Sequence, residues 1–371
     1  MLGIKTKVSK VVLPFLVVAF VGSFHEVAAA EGLKSPFVAA RYPLKNDGKI
    51  VCTATSPTPV IELDLLSIYD QDDDSRSTID PTRKKDYDAA IASARAFSSN
   101  VTKYSSNYVQ ADGHRLEDAA CVLTFIDTWA KADALSTLKT RQSALSSTRI
   151  LAGTALAYLQ VRDAAKLLKF DTTQIEAWMD RRAAAIIPVY TESGDARSNK
   201  QNHRYWGGLA VASIGVAIGK PEYLQFGIDS YDLGVSQIQP DGSLPLELAR
   251  KKRARDYHLH ATAPLVMIAE LAEANGFDLY SSHEGAIHRL IDFDLRAVKD
   301  PTEIETLTQA TMEPIPKDGS FLRGDRLAWT DAYFSRFPEK RSIYNLNVQR
   351  PLFSSNIGGR ITVLFDTKFR N

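Results

Sequence analysis

Asn202-His203-Arg204-Tyr205-Trp206-Gly207-Gly208-Leu209-Ala210-Val211-Ala212-Ser213-Ile214-Gly215-Val216-Ala217-Ile218-Gly219-Lys220-Pro221 is the stretch from which the fold can be read. From Trp206 to Ile218 apolar residues recur at three-to-four spacing, and Gly219-Lys220-Pro221 then stops one helix and opens the next. The same pattern predicts helices over Lys84–Tyr104, Leu116–Leu135, Gln142–Leu168, Thr173–Tyr190, Glu222–Ile238, Tyr257–Ala274 and Glu284–Val298, with a capping-box start at Thr173-x-x-Glu176. Only Lys49–Ala54 and Arg360–Phe365 read as short strands or extended loops. Long helices joined by short loops imply antiparallel helix pairs in an all-α chain. Periodicity alone does not distinguish a closed toroid of such pairs from an open stack.

The two ends of residues 1–30 carry different information. Lys5, Lys7 and Lys10 form a basic start, Val11–Val21 is apolar, and Val27-Ala28-Ala29-Ala30 offers a small-residue cleavage site, the signature of a cleavable signal peptide. The apolar run is far shorter than the roughly 20 residues a spanning helix needs. The expectation is an exported protein, periplasmic or secreted, with no stable membrane insertion once the leader is gone. Residues 31–371 show no Pro/Ser/Gly-rich linker and read as one domain. Losing three lysines and Glu26 takes the formal charge from +1 to about −1. A near-neutral chain is no general polyanion sponge, so anions must be held by local clusters. The only two cysteines, Cys52 and Cys121, would enter an oxidising compartment and form one disulfide.

The polar residues of the opening stretch gain meaning from Arg250-Lys251-Lys252-Arg253-Ala254-Arg255-Asp256-Tyr257. On a helix through 202, Asn202 and His203 share a face with Trp206; on a helix through 250, Arg250 and Tyr257 are two turns apart on one face. An amide, an imidazole, a guanidinium, a phenol and a flat aromatic suit removal of a proton beside a sugar carboxylate. Taken alone, Asn-His-x-x-Trp is more often a satisfied polar pair beside a core aromatic. The basic run is not read as a nucleic-acid patch in a near-neutral exported chain. His258-Leu259-His260 lacks a third ligand nearby, and Asp70-x-Asp72-Asp73-Asp74 has Ser75 and Pro81 where a calcium loop needs Gly and Glu, so no metal is expected. Glu247 reads as an orienting partner for arginine. A nucleophile elbow and a phosphate-binding glycine loop are both missing from the sequence, and no cofactor is expected.

Asn202-His203-x-Tyr205-Trp206, Leu244-Pro245-x-Glu247-Leu248 and the Arg-rich run ending in Tyr257-His258 resemble the alginate lyase family typified by poly(β-D-mannuronate) lyases. Ser67–Thr78 resembles that family's lid loop, Phe353–Phe365 with Gly358-Gly359 its C-terminal segment, and Cys52 and Cys121 fall where it has cysteines. The resemblance implies an incomplete α/α toroid with a long cleft, an anionic uronate polysaccharide as partner, and cofactor-free β-elimination; a monomer is expected because the chain is large enough to fold alone. Asn202 and His203 would neutralise the substrate carboxylate. Arg250 would pull the phenol of Tyr257 down from about 10, and Tyr257 would take the C5 proton and protonate the leaving oxygen. Trp206 would stack on a sugar, Tyr69 and Arg76 would close from the lid, and Arg253 would bind substrate. Three cations of the family pattern are missing: Ile68 replaces a lid lysine, Asn356 a basic residue, and Ser143–Thr148 holds no Lys or Arg. Polymannuronate is the expected substrate. A related uronan such as polyglucuronate or hyaluronan, and a non-catalytic polysaccharide-binding or export role, are the alternatives.

Overall fold

The computed structural model describes residues 32–38, 50–192, 196–318, 320–344 and 348–370. The leader therefore lies outside the described residues, while Leu33–Asn371 forms one compact unit. Its helices are α1 (Pro81–Gln110), α2 (Leu116–Lys131), α3 (Arg141–Leu168), α4 (Thr173–Thr191), α5 (Asn202–Ile218), α6 (Pro221–Val235), α7 (Pro245–Leu248), α8 (Ala254–Glu273), α9 (Ser282–Lys299), α10 (Thr302–Thr308), α11 (Ser320–Arg323), α12 (Trp329–Arg336), α13 (Pro338–Tyr344) and α14 (Ile361–Phe365).

Packing sorts the long helices into two layers. Helices α1, α3, α5, α8 and α12 each pack on the next, and α14 links α12 back to α1. Outside this ring, α2 lies against α1 and α3, α4 against α3 and α5, α6 against α5 and α8, and α9 against α8 and α6. The result is an α/α toroid, all-α as the periodicity predicts. Helix α5 is its hub, and nearly every residue from Asn202 to Ala217 is buried. Burial on all sides is why α5 is almost uniformly apolar after its first turn.

Several boundaries differ from expectation. Asp80 accepts from Thr82 N and Arg83 N, so α1 begins at Pro81 rather than Lys84. The capping box at Thr173 is not formed: Thr172 is the N-cap residue, Asp171 accepts from Thr173 N and Oγ1, and Glu176 accepts from Thr172 Oγ1 and Tyr158 OH. Residues 50–54 form no strand. Of Arg360–Phe365 only Arg360 is extended, in the Gly359–Arg360 strand (β4) that pairs antiparallel with Phe353–Ser354 (β3), and the rest is α14. Apolar residues over so short a run fit either period, and packing against α12 decides for helix.

Three attachments position the cleft. Cys52 is joined to Cys121 of α2 by a disulfide spanning 69 residues. Glu62–Leu63 (β1) pairs in parallel with Thr137–Leu138 (β2), Ser143 Oγ accepts from Leu65 N at 2.9 Å, and Thr140 Oγ1 donates to Leu65 O at 2.5 Å, which roots the lid on the start of α3. The C-terminal strap lies across α1 and α3. Gly359 has φ +116 and sits where a Cβ would come within 2.2 Å of Ser106 Oγ, while a Cβ on Gly153 would fall 1.8 Å from Ser355 O.

Gly153→Ala therefore forces strap and α3 apart. The expected cost is about 1–3 kcal/mol, read as a lowered melting temperature. An unchanged melting temperature would contradict the close seating of the strap.

Candidate active site

The first turn of α5 and the short α7 are tied together by a carboxylate. Both Asn202 N and Asn202 Nδ2 donate to Glu247 Oε1 at 3.0 Å, and Nδ2 also donates to Oε2 at 3.0 Å. Asn202 and Glu247 are almost wholly enclosed, and Asn202 Oδ1 has no partner among the described residues. Burial pushes the Glu247 carboxyl up, opposed by the hydrogen bonds from the backbone and side chain of Asn202 and by the charges of Arg250 and Arg197. Glu247 is thus an orienting residue, as the sequence suggests, but its hydrogen-bonded partner is Asn202 and not an arginine.

Arg250 and Tyr257 do not share a continuous helix. Lys251 has φ +51, a 3₁₀ turn covers Lys251–Arg253, and α8 begins only at Ala254. The turn folds Arg250 back so that its guanidinium lies 3.8 Å from the centroid of the Tyr257 ring and 4.9 Å from that of Tyr69. Arg250 Nη2 donates to Arg76 O at 2.5 Å. The basic run is divided by this geometry. Arg253 lies 5.7 Å from the Tyr69 centroid and pairs with Asp256 and Glu313, at 3.8 and 3.6 Å, whereas Arg255 is buried and donates to Glu313 O.

The lid is closed over this centre, with the Tyr69 and Tyr257 hydroxyls hydrogen-bonded to each other. Its base is pinned by Asp70 N to Thr78 O at 3.0 Å and Asp80 N to Ile68 O at 2.9 Å. Asp73 is the inner brace: its two oxygens accept from the backbone amides of Ser75, Ser77 and Thr78 and from the Ser75 hydroxyl. That hydroxyl first, then the Thr78 and Ser77 amides, hold its carboxyl well below the usual range against the opposing effect of burial. The acidic run is therefore an organised loop rather than merely a solvated one. Arg76, at φ +50, gives Arg250 its carbonyl, while its own guanidinium turns to Asp70 O at 3.3 Å.

The expected drop in the Tyr257 pKa is not realised with the lid closed. Burial raises it first and the contact with Tyr69 raises it further; Arg250 and Arg253 pull the other way and are outweighed. His203 is held down to about 3 by burial, then by the positive charges of Arg149, Arg250 and Arg141. Its imidazole is neutral at any ordinary working pH and can donate from one nitrogen.

His260, one turn after Tyr257, completes the cluster. Its ring is 6.3 Å from Tyr257 edge-on and 5.1 Å from Trp206. Trp206 is 1% exposed and donates Nε1 to His260 O at 3.1 Å. It supports His260 from below and offers no free face to a sugar, which corrects its expected stacking role. His258 points elsewhere: its Nε2 accepts from Leu244 N at 2.9 Å and its Nδ1 donates to Ala254 O at 2.8 Å, so the two histidines do not face a common ligand.

The structure thus gathers Asn202, His203, Arg250 and Tyr257 with Tyr69, the Arg76 carbonyl and Arg253. Sequence reading missed His260 and Arg149. The i, i+3 relation of His260 to Tyr257, and the arginine directly following Ser143–Thr148, are the signals that carry them. The expected loss of positive charge near the start of α3 is offset by Arg149, whose charge reaches both His203 and His260.

The chain is similar to known proteins. The profile of the family described as alginate lyase matches residues 64–304. A polysaccharide lyase of Stenotrophomonas maltophilia is 32% identical, covering 81% of this chain and 87% of the relative. An alginate lyase of Pseudomonas syringae pv. tomato is 29% identical over 86% and 84%. A solved alginate lyase A1-III, the enzyme of Sphingomonas species A1, in complex with a tetrasaccharide, is 26% identical with a TM-score of 0.70 over 87% and 88% of the two chains.

The histidines set a pH signature. Burial holds His203 at about 3 and His258 at about 4. The unfolded chain takes up these protons as pH falls below about 6.5 and the folded chain does not. Both histidines therefore withdraw stability as pH drops from about 6.5 toward 4, and neither changes it above that range. Their ring resonances should stay fixed in an NMR titration from about pH 8 to 5. A midpoint near 6.5 for either would contradict the buried, neutral assignment.

Proposed function

The chain belongs to the alginate lyase family, and from that premise we propose that it cuts alginate within mannuronate blocks, with Tyr257 as the group that moves both protons. It is a polysaccharide lyase that depolymerises alginate by β-elimination. The observation that carries the mechanistic reading is the Arg250 guanidinium on the face of the Tyr257 ring, with Asn202 and His203 beside it.

The chemistry follows from the weakness of the acid. A C5 proton next to a charged carboxylate is barely acidic, so the carboxylate must be neutralised as the proton leaves. Neutral His203 supplies an N–H for this and Arg250 a full positive charge, while Asn202 adds an amide N–H by releasing one of its two Nδ2 contacts with Glu247. Admitting polymer opens the lid and breaks the Tyr69–Tyr257 hydrogen bond, removing one of the influences that keep Tyr257 protonated. Arg250 and Arg253 remain to stabilise its phenolate. The phenolate takes the C5 proton and the C5–H electrons form the C4–C5 double bond. The C4–O bond breaks, and the new phenol returns its proton to the departing glycosidic oxygen. One residue can do both only if proton and leaving oxygen lie on one side of the ring, as in β-D-mannuronate. For the opposite C5 configuration His203 would be the base and Tyr257 the acid.

A second reading keeps the chemistry and changes the polymer. Ile68 and Asn356 leave two positions of the family pattern uncharged, and Asn356 Nδ2 is committed to Asp325 at 2.9 Å. Glucuronate differs from mannuronate at C2 and keeps the same C4/C5 relationship, so a glucuronan would be cut by the same two transfers. We further propose that residues 1–30 direct export to the periplasm or beyond and that the remainder acts there as a single-domain monomer. The Cys52–Cys121 disulfide supports an oxidising destination.

Tyr257→Phe should lower kcat by about 100-fold or more while tetramannuronate still binds. The readout is the ultraviolet absorbance of the new double bond, followed on polymannuronate, polyguluronate, polyglucuronate and hyaluronan. Undiminished turnover in the variant would remove Tyr257 from the proton transfers. A rise on polyglucuronate or hyaluronan alone would select the second reading.

A further inference from the structure

Near the site, Arg149 stands apart among the described residues in having no ion pair and one long hydrogen bond to hold its guanidinium. Arg149 lies in the third turn of α3, between α1 and α5, one turn before Gly153 against which the C-terminal strap is seated. It is half-buried. Its hydrogen bond is from Nη2 to Tyr87 OH, at a long 3.4 Å, and among the described residues it forms no ion pair.

The other cations around the cleft are engaged. Arg253 and Arg326 both reach Asp256, Arg141 is fixed by Ser198, Asn199 and a backbone carbonyl, and Arg250 has the Arg76 carbonyl and two tyrosine rings. A partly desolvated charge without a counter-charge is unfavourable, and an anionic ligand is the ordinary remedy. Tyr87 is suited to hold the guanidinium without neutralising it. Its hydroxyl is fixed by Ser146 Oγ at 2.8 Å, which in turn accepts from Gln142 Nε2 at 3.0 Å. Arg149 also acts on the reacting centre: among the charges that depress His203 and His260 it comes first in both, ahead of Arg250.

We propose that Arg149, steadied by Tyr87, binds the carboxylate of the uronate adjoining the one whose C5 proton is removed. This rests on the lyase reading for what the ligand is, though not for whether an oligouronate binds. Arg149 is then a specificity-determining residue that does not touch the reacting atoms. It supplies, from the next residue along α3, the positive charge that Ser143–Thr148 lacks. A polymer with a carboxylate on every sugar would engage it, and one with carboxylates on alternate sugars would lose that contact at the adjoining subsite.

The test separates binding from turnover. In the Tyr257→Phe background, calorimetry compares tetramannuronate and its methyl ester at low and high salt, with and without Arg149→Gln. The glutamine can keep a hydrogen bond to Tyr87 while removing the charge. The expected result is a loss of affinity for the acid of about 10-fold or more, a weaker salt dependence, little change for the ester, and partial recovery in Arg149→Lys. With Tyr257 intact, Arg149→Gln should raise KM with kcat changed by less than about threefold. Equal affinity and equal salt dependence with and without Arg149→Gln would overturn the proposal, as would an equal loss for acid and ester. If the unaltered protein formed no double bond on any uronan, the lyase reading would fall while the calorimetric result still decided the role of Arg149.

Discussion

The arrangement of the centre depends on a guanidinium held between two phenol rings. Arg250 is 6% exposed, forms no ion pair among the described residues, and touches the lid through Tyr69 and the Arg76 carbonyl while lying over Tyr257. It therefore joins three separate parts of the chain: the lid after β1, the turn between α7 and α8, and the first turn of α8. A buried cation facing aromatic π-clouds is stabilised without being neutralised, which leaves its charge available to a substrate carboxylate. Removing that charge would affect lid closure and the ionisation of Tyr257 together.

The closed state sets a tension that substrate resolves. With the lid down, Tyr257 shares a hydrogen bond with Tyr69 and is enclosed, and both effects keep it protonated. The same enclosure keeps His203 neutral, with one N–H to donate and no net charge. On the proposed mechanism, polymer entry would exchange the Tyr69 contact for a charged carboxylate facing Asn202, His203 and Arg250. Glu247 fixes Asn202 from behind, and Trp206 fixes His260, so the two walls of the cleft are set by hydrogen bonds that the substrate need not touch.

Much of this was legible in the sequence, for reasons that can be named. The α-helical class followed from apolar spacing because long amphipathic helices carry their period over many residues. The Asn202–His203 and Arg250–Tyr257 groups, which the fold brings together, stand out in the sequence because side-chain chemistry limits what can remove a weakly acidic proton. Geometry between elements was less visible. Nothing local indicates that Lys251 adopts a left-handed conformation and breaks the helix before Ala254, nor that Glu247 turns to Asn202. Trp206 was assigned to sugar and belongs to the core because helical spacing gives a face and not what covers it. Ile361–Phe365 is too short for its period to be read, and its helicity comes from packing on α12. Arg149 follows directly on the cation-free run Ser143–Thr148, and nothing local tells that its charge reaches the site.

The most direct measurement is a crystal structure of the Tyr257→Phe protein with a bound mannuronate tetrasaccharide. The account predicts one uronate carboxylate within hydrogen-bond reach of Asn202, His203 and Arg250. It also predicts C5 of that sugar facing the residue-257 ring, with the lid closed over the chain. A tetrasaccharide held elsewhere, or one whose carboxylate at the centre turns away from Arg250, would contradict it.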